Sequence, residues 1–221
     1  MSAPVLAAEL RFRPAADAAR WRAVVAAVAG VALGTGPTDV TTLSDVAEVE
    51  PRPWTAAEPD RIALGLAGDP PTSYLILTAD DGVHALLARD AEQVKVSLRV
   101  RAPAEPPVGW LRRVVEALEP DAVPEMAMLF DPDSADDRLT EEGLSGLTVV
   151  PPVLYLSGPA LTVAGGEARL REAPGEAVPI ADGVALALGD PLAPATGAES
   201  ARLDAAAEHL GISPELPLST A

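Results

Sequence analysis

Few side chains in this sequence suit proton transfer or metal binding, and their spacing decides what they can do. The two histidines, His84 and His209, stand far apart. Neither has a second histidine at the three- or four-residue spacing that aims two imidazoles at one metal from a helix. His84 falls in a strand pattern and His209 near the end of a helical one, where an imidazolium suits the dipole, so both read as structural or solvent-facing. Cysteine is absent, which removes thiolate nucleophiles, disulfides and cysteine-rich zinc sites. A serine triad has no fixed order along a chain, so a hydrolase with a dispersed site requires His84 or His209 beside a serine and a carboxylate in one hollow. The local signature of such a site is missing, because Gly143-Leu144-Ser145-Gly146 lacks the spacing of a nucleophile elbow. Gly34-Thr35-Gly36 lacks the third glycine of a dinucleotide fingerprint, no phosphate loop occurs, and Lys95 is the only lysine. No catalytic residue, cofactor or metal ion is expected, and the chain does not read as an enzyme.

One acidic stretch invites a calcium reading. Asp131 and Asp133 match the first and third positions of an EF-hand loop and Glu142 the twelfth. Ala135 removes the fifth-position ligand, Asp136 stands where the sharp turn needs glycine, and Pro132 departs further. The stretch reads instead as a solvated acidic loop.

Charge carries more information. The formal net charge is -17, from 33 acidic and 16 basic residues. Such a field repels a phosphate backbone and an anionic membrane surface, so neither nucleic acid nor a membrane is an expected partner. It attracts cationic proteins and speeds their encounter. Residues 1–110 hold 10 basic and 14 acidic groups, and residues 111–221 hold 6 and 19. The densest acids are Glu116, Glu119, Asp121, Glu125, Asp131, Asp133, Asp136, Asp137, Glu141 and Glu142, opposed within 116–142 only by Arg138. Glu116, Glu119, Asp121, Asp131, Asp133, Asp136, Asp137, Glu141 and Glu142 are therefore the candidate partner-binding residues. The plain alternative is one helix's polar face followed by an exposed loop that only keeps the protein soluble.

The elements that must position these residues follow from periodicity. Hydrophobic residues make up 48% and aromatic ones 3%, so a core must be packed mainly from Val, Leu and Ala. A strand over Val5–Arg13 precedes a helix over Ala15–Ala29 that begins behind Pro14, with Trp21, Val24, Val25 and Val28 on one face. The apolar run Ala23–Leu33 is part of that helix, since Glu9 and Asp17 precede it and no cleavage site follows, so secretion is not expected. An irregular stretch runs through Pro51, Pro53 and Pro59. Strands are expected at Arg61–Ala67, Ser73–Thr78, Val83–Arg89 and 94–101, the last alternating strictly, and their short connections imply an antiparallel meander. A helix over Val108–Leu118, a strand over Glu125–Phe130 and a strand over Leu147–Ser157 follow. Pro151 and Pro152 should confine that last strand to an edge or a bulge. A strand over Val184–Leu188 and a helix over Ala198–Leu210, closed by Gly211, complete the order. The expectation is one α+β domain over residues 1–212, a mostly antiparallel sheet with about three helices packed on one face. Two similar halves would meet near 102–108, and 213–221 would form a flexible tail.

Three segments of the second half carry a resemblance. Gly109-Trp110-Leu111-Arg112-Arg113-Val114-Val115-Glu116-Ala117-Leu118-Glu119-Pro120-Asp121 resembles the helix and proline–aspartate turn of immunity proteins from bacterial polymorphic toxin systems, the immunity protein 52 family. Val153-Leu154-Tyr155-Leu156-Ser157 is similar to that family's tryptophan-containing strand, with Val153 in place of the tryptophan. Asp182-Gly183-Val184-Ala185-Leu186-Ala187-Leu188, then Asp190-Pro191-Leu192 and the helix from Ala198, resembles its closing region, with Leu192 where an aromatic is usual. The resemblance spans residues 108–212 and implies a cytoplasmic protein that binds and neutralises a cognate toxin encoded beside it. It supplies no catalytic residue. A basic toxin would suit the acidic chain. The alternatives are a structural or adaptor subunit of a secretion or phage-derived assembly, and the dispersed-site hydrolase above.

Overall fold

The computed structural model describes residues 4–34, 36–44, 47–48, 51–68, 74–79, 83–89, 93–118, 122–131, 150–193 and 196–212. Strand β1 (Val5–Phe12) leads into helix α1 (Ala18–Ala27). Asp17, not Pro14, is the cap, its carboxylate accepting from the Ala19 N–H. The apolar stripe of α1 continues through one π-helical turn (Val28–Ala32), where the Leu33 N–H reaches back to the Val28 carbonyl at 3.0 Å.

The segment expected to be irregular contains strand β2 (Asp39–Ser44) and the short strands β3 (Ala47–Glu48) and β4 (Arg52–Pro53). The strand expected at Arg61–Ala67 is instead part of helix α2 (Glu58–Ala67). Ile62, Leu64 and Leu66 alternate like a strand, but the helix buries Ile62, Ala63 and Leu66 and leaves Leu64 66% exposed. The overlooked start signal is Pro59 in the first turn, flanked by the acids Glu58 and Asp60.

Strands β5 (Tyr74–Thr78), β6 (His84–Arg89) and β7 (Val94–Arg101) form the expected meander. Helix α3 (Pro107–Glu116) and strand β8 (Met126–Phe130) follow. Strand β9 (Val153–Ser157) starts only after Pro151 and Pro152. It lies inside the sheet between β8 and β11, not at an edge, because neither proline occupies a rung that needs an N–H. The Pro152 carbonyl still accepts, from the Leu188 and Gly189 N–H groups. Helices α4 (Gly158–Val163) and α5 (Gly166–Glu172) and strand β10 (Glu176–Ile180) were not anticipated. Strand β11 (Gly183–Ala187) and helix α6 (Gly197–Leu210) were; Gly211 closes α6 at φ 71°, in the left-handed region.

All eleven strands among the described residues join one antiparallel sheet in the order β10-β11-β9-β8-β1-β7-β6-β5-β2-β3, with β4 beside β2. The fold class is therefore α+β, with a mostly antiparallel sheet. Strand β1 joins the two halves, pairing with β7 along its whole length and with β8 over Ala7–Arg11.

Alternation along each strand sends side chains to two faces. Leu6, Leu10 and Phe12 of β1, together with Leu77, Leu87, Val96 and Leu129, face helices α1, α2 and α3, which bring Trp21, Val24, Ile62, Leu66, Leu111 and Val114 into one core. Three helices were expected on one face: α1 and α3 are there, but the third is α2, read as a strand, and the expected closing helix α6 packs on the other face. Three more cover part of the other face. There Met126, Met128, Leu154, Leu156, Val184 and Leu186 meet Ala160 of α4, Leu170 of α5 and Ala206 and Leu210 of α6 in a second core.

Candidate functional site

That second core stops at β8. Beyond it, across β1, β7 and β6, no helix among the described residues covers the sheet. The register lays out the open face in rows. One row reads Asp39, Thr78, His84, Arg99, Ala7 and Phe130 across β2, β5, β6, β7, β1 and β8. The next reads Thr41, Ile76, Leu86, Ser97, Glu9 and Met128, and the third ends Ala88, Lys95, Arg11 and Met126. Each row is polar or cationic on β7, two of the three remain so on β1, and all turn apolar at β8, where helical cover begins.

Glu9 anchors the centre of this face. Its side chain is only 4% exposed, yet both carboxylate oxygens are engaged: Oε1 by the Arg11 Nε at 2.7 Å and Oε2 by the Lys95 Nζ at 2.6 Å. A carboxylate taken out of water needs such partners, and two cations around one anion leave the cluster net positive. Arg99, in the neighbouring row, is exposed and adds a further positive charge.

Beside this triad lies a hollow of about 220 Å³, lined by Glu9, His84, Lys95, Ser97, Arg99 and Phe130 among others. It gathers a histidine, a serine and a carboxylate, the set that a dispersed hydrolytic site requires. Ser97 stands directly opposite Glu9 in the register and His84 one step along the neighbouring strand. The Glu9 oxygens, however, are both committed to Arg11 and Lys95. The arrangement is suited to receiving an anion: exposed and half-buried donors surround a shallow, partly apolar depression. Sequence reasoning missed this site. Its one available signal was the run of polar residues on a single parity, Glu9 and Arg11 on β1 and Lys95, Ser97 and Arg99 on β7, within strands otherwise apolar.

The acidic candidates are only partly visible. Glu116 is exposed on the last turn of α3. Asp131 follows β8 and lines a small hollow with Asp190 and Glu199, which Glu116 does not share. Glu119, Asp121, Asp133, Asp136, Asp137, Glu141 and Glu142 lie outside the described residues. Most of the candidate calcium loop lies there too. Among the described residues, no group of three or more His, Asp or Glu is placed to hold a metal ion. Glu199 is occupied with structure, accepting from the Asp190 and Thr196 N–H groups, and these bonds hold its carboxyl below the usual carboxylate range.

His209 is likewise structural. Its Nε2 meets the Arg169 carbonyl at 2.8 Å, and Arg169 donates back to the His209 carbonyl, tying α6 to α5. The five residues Val153–Ser157 are all buried. Tyr155 is fully buried and its hydroxyl has no hydrogen-bond partner. Burial pushes this phenol up to about 12, the Asp182 charge adds to the shift, and the Ser157 hydroxyl opposes it. Ser157 spends its own proton on the Pro124 carbonyl at 2.7 Å. No described helix is long and apolar enough to cross a membrane.

Neither a family model nor a curated protein matches the sequence. Among solved structures, the fold is similar to that of the Pseudomonas aeruginosa T6SS protein PA0821, with a TM-score of 0.62 and 13% identity over 95% of this chain and 74% of that one. At that identity the likeness is one of fold.

Proposed function

We propose that the protein acts by binding another protein and not by catalysis: a cytoplasmic immunity protein that docks a basic toxin and neutralises it. The observation that carries this reading is the concentration of acid in residues 116–142 of a chain already at -17. Charge of one sign gathered in one segment raises the encounter rate with a cationic partner and penalises partners of its own sign. The resemblance of residues 108–212 to immunity protein 52 and the T6SS name of the structural neighbour support the same setting.

The test is co-expression with the toxin encoded beside it. Growth rescue and a complex that loosens with salt are expected, and the combined change Asp133→Lys, Asp136→Lys, Asp137→Lys should weaken that complex. Rescue that survives those reversals at full affinity would move the contact away from this segment.

The T6SS name also favours a second reading, a non-catalytic subunit of a secretion assembly. In that case the chain would join a larger scaffold and leave toxin-expressing cells unprotected. Hydrolysis is tested directly with a fluorophosphonate probe, and an adduct on Ser97 would overturn both binding readings.

A further inference from the structure

The half of the sheet face that no described helix covers gathers Arg11, Lys95 and Arg99 around one acid, in a chain at -17 overall. We propose that it is a second docking surface, built to receive an acidic polypeptide segment. The inference goes beyond the toxin-binding reading, which rests on acids elsewhere in the chain, and stands or falls separately.

Charge complementarity is the main argument. Arg11, Lys95 and Arg99 stand on adjacent strands β1 and β7, facing one way, and Glu9 is the only acid among them. Asp39 is the acid at the far end of the row, three strands from Arg99. In a chain at -17 a site for an acidic partner must gather cations locally, as this face does. The shape agrees. The hollow between Arg99 and Lys95 has half-buried Leu86 and Phe130 in its wall, which suits one apolar side chain flanked by carboxylates. The ion triad also holds Lys95 in place, so that ordering this cation costs a partner little additional entropy.

The test uses the full chain and fluorescein-labelled hexaglutamate, followed by fluorescence anisotropy at low ionic strength. Saturable binding is expected, weakened about tenfold by Arg99→Glu and unchanged by Arg171→Glu, an exposed arginine on α5 over the covered half. Arg99→Gln should give an intermediate loss, and melting curves will show whether each variant is folded. Absence of binding, or equal loss in the Arg171 variant, overturns the proposal. Binding that appears only after Asp133→Asn, Asp136→Asn and Asp137→Asn are combined means that the chain's own carboxylates occupy the face, which also overturns it. Concentration-dependent dimerisation abolished by Arg99→Glu would identify the occupant as a second copy and overturn it as well. A single-stranded oligonucleotide that binds where hexaglutamate does not would assign the face to nucleic acid instead.

Discussion

The same sheet face is finished in two ways. Across β8, β9 and β11 it presents Met126, Met128, Leu154, Leu156, Val184 and Leu186, and three helices close over them. Across β1, β7 and β6 it presents Glu9, Arg11, Lys95, Ser97, Arg99 and His84, and no described element closes over those. Strand direction, spacing and hydrogen bonding are shared, and residue type is what differs between them. Apolar rows gain by excluding water and recruit a cover. Rows of ions bury their central charge by surrounding it with partners, and no described helix packs on them.

The opposite face of the sheet treats a buried polar group differently. Glu9 is compensated by two cations, whereas Tyr155, on the other side of β9, is buried with an unpaired hydroxyl. Breaking the compensated site should cost most. Glu9→Gln leaves Arg11 and Lys95 facing each other with no counter-charge, and a loss of about 3–5 kcal/mol is expected in urea denaturation. Changing the triad together (Glu9→Met, Arg11→Leu, Lys95→Met) should restore stability to about the wild-type value, because the open half would then resemble the covered one. If Glu9→Gln unfolds at the wild-type urea concentration, the triad is not a structural unit.

Within the covered half, Leu154→Ala removes a fully buried side chain under the helices and should cost about 3 kcal/mol by the same measurement. Tyr155 gives a pH signature. In the unfolded chain its phenol ionises near 10, whereas in the fold it holds its proton to about 12. Between these values the unfolded state binds fewer protons, so this contribution is complete below pH 10 and is lost as pH rises toward 12, by about 2–3 kcal/mol. Tyr155→Phe should flatten that decline in alkaline melting curves and change stability little at pH 7, since no hydrogen bond is lost. The smallest effect belongs to the open half. Arg99→Glu touches an exposed side chain and should shift stability by no more than about 0.5 kcal/mol, which separates its binding role from folding.

Much of the fold was legible because its period was clean. The strict alternation of 94–101 locates β7, and the Trp21, Val24 and Val25 stripe locates α1. Reading failed where two periods fit the same residues, as in Ile62-Ala63-Leu64-Gly65-Leu66, whose alternation matches a strand while Glu58, Pro59 and Asp60 start a helix. The proline rule was sound but pointed at the wrong residues: the edge strand β10 carries Pro179, whereas Pro151 and Pro152 only precede an interior one. The open face left one trace in the sequence, the polar residues of one parity on β1 and β7, but not their pairing. Glu9 meets Ser97 only through a pairing between distant parts of the chain, and nothing local to either strand announces that register.

The position of β1 bears on how the protein is made. This strand leaves the ribosome before either of its neighbours exists, and β8 follows it by more than a hundred residues. At cellular elongation rates that delay is on the order of ten seconds. Until β7 is made, Leu6, Leu10 and Phe12 have no sheet to join, and the edge that pairs with β8 waits longer still. The strand at the centre of the sheet is thus made long before its partners, an interval open to capture by chaperones or by another growing chain.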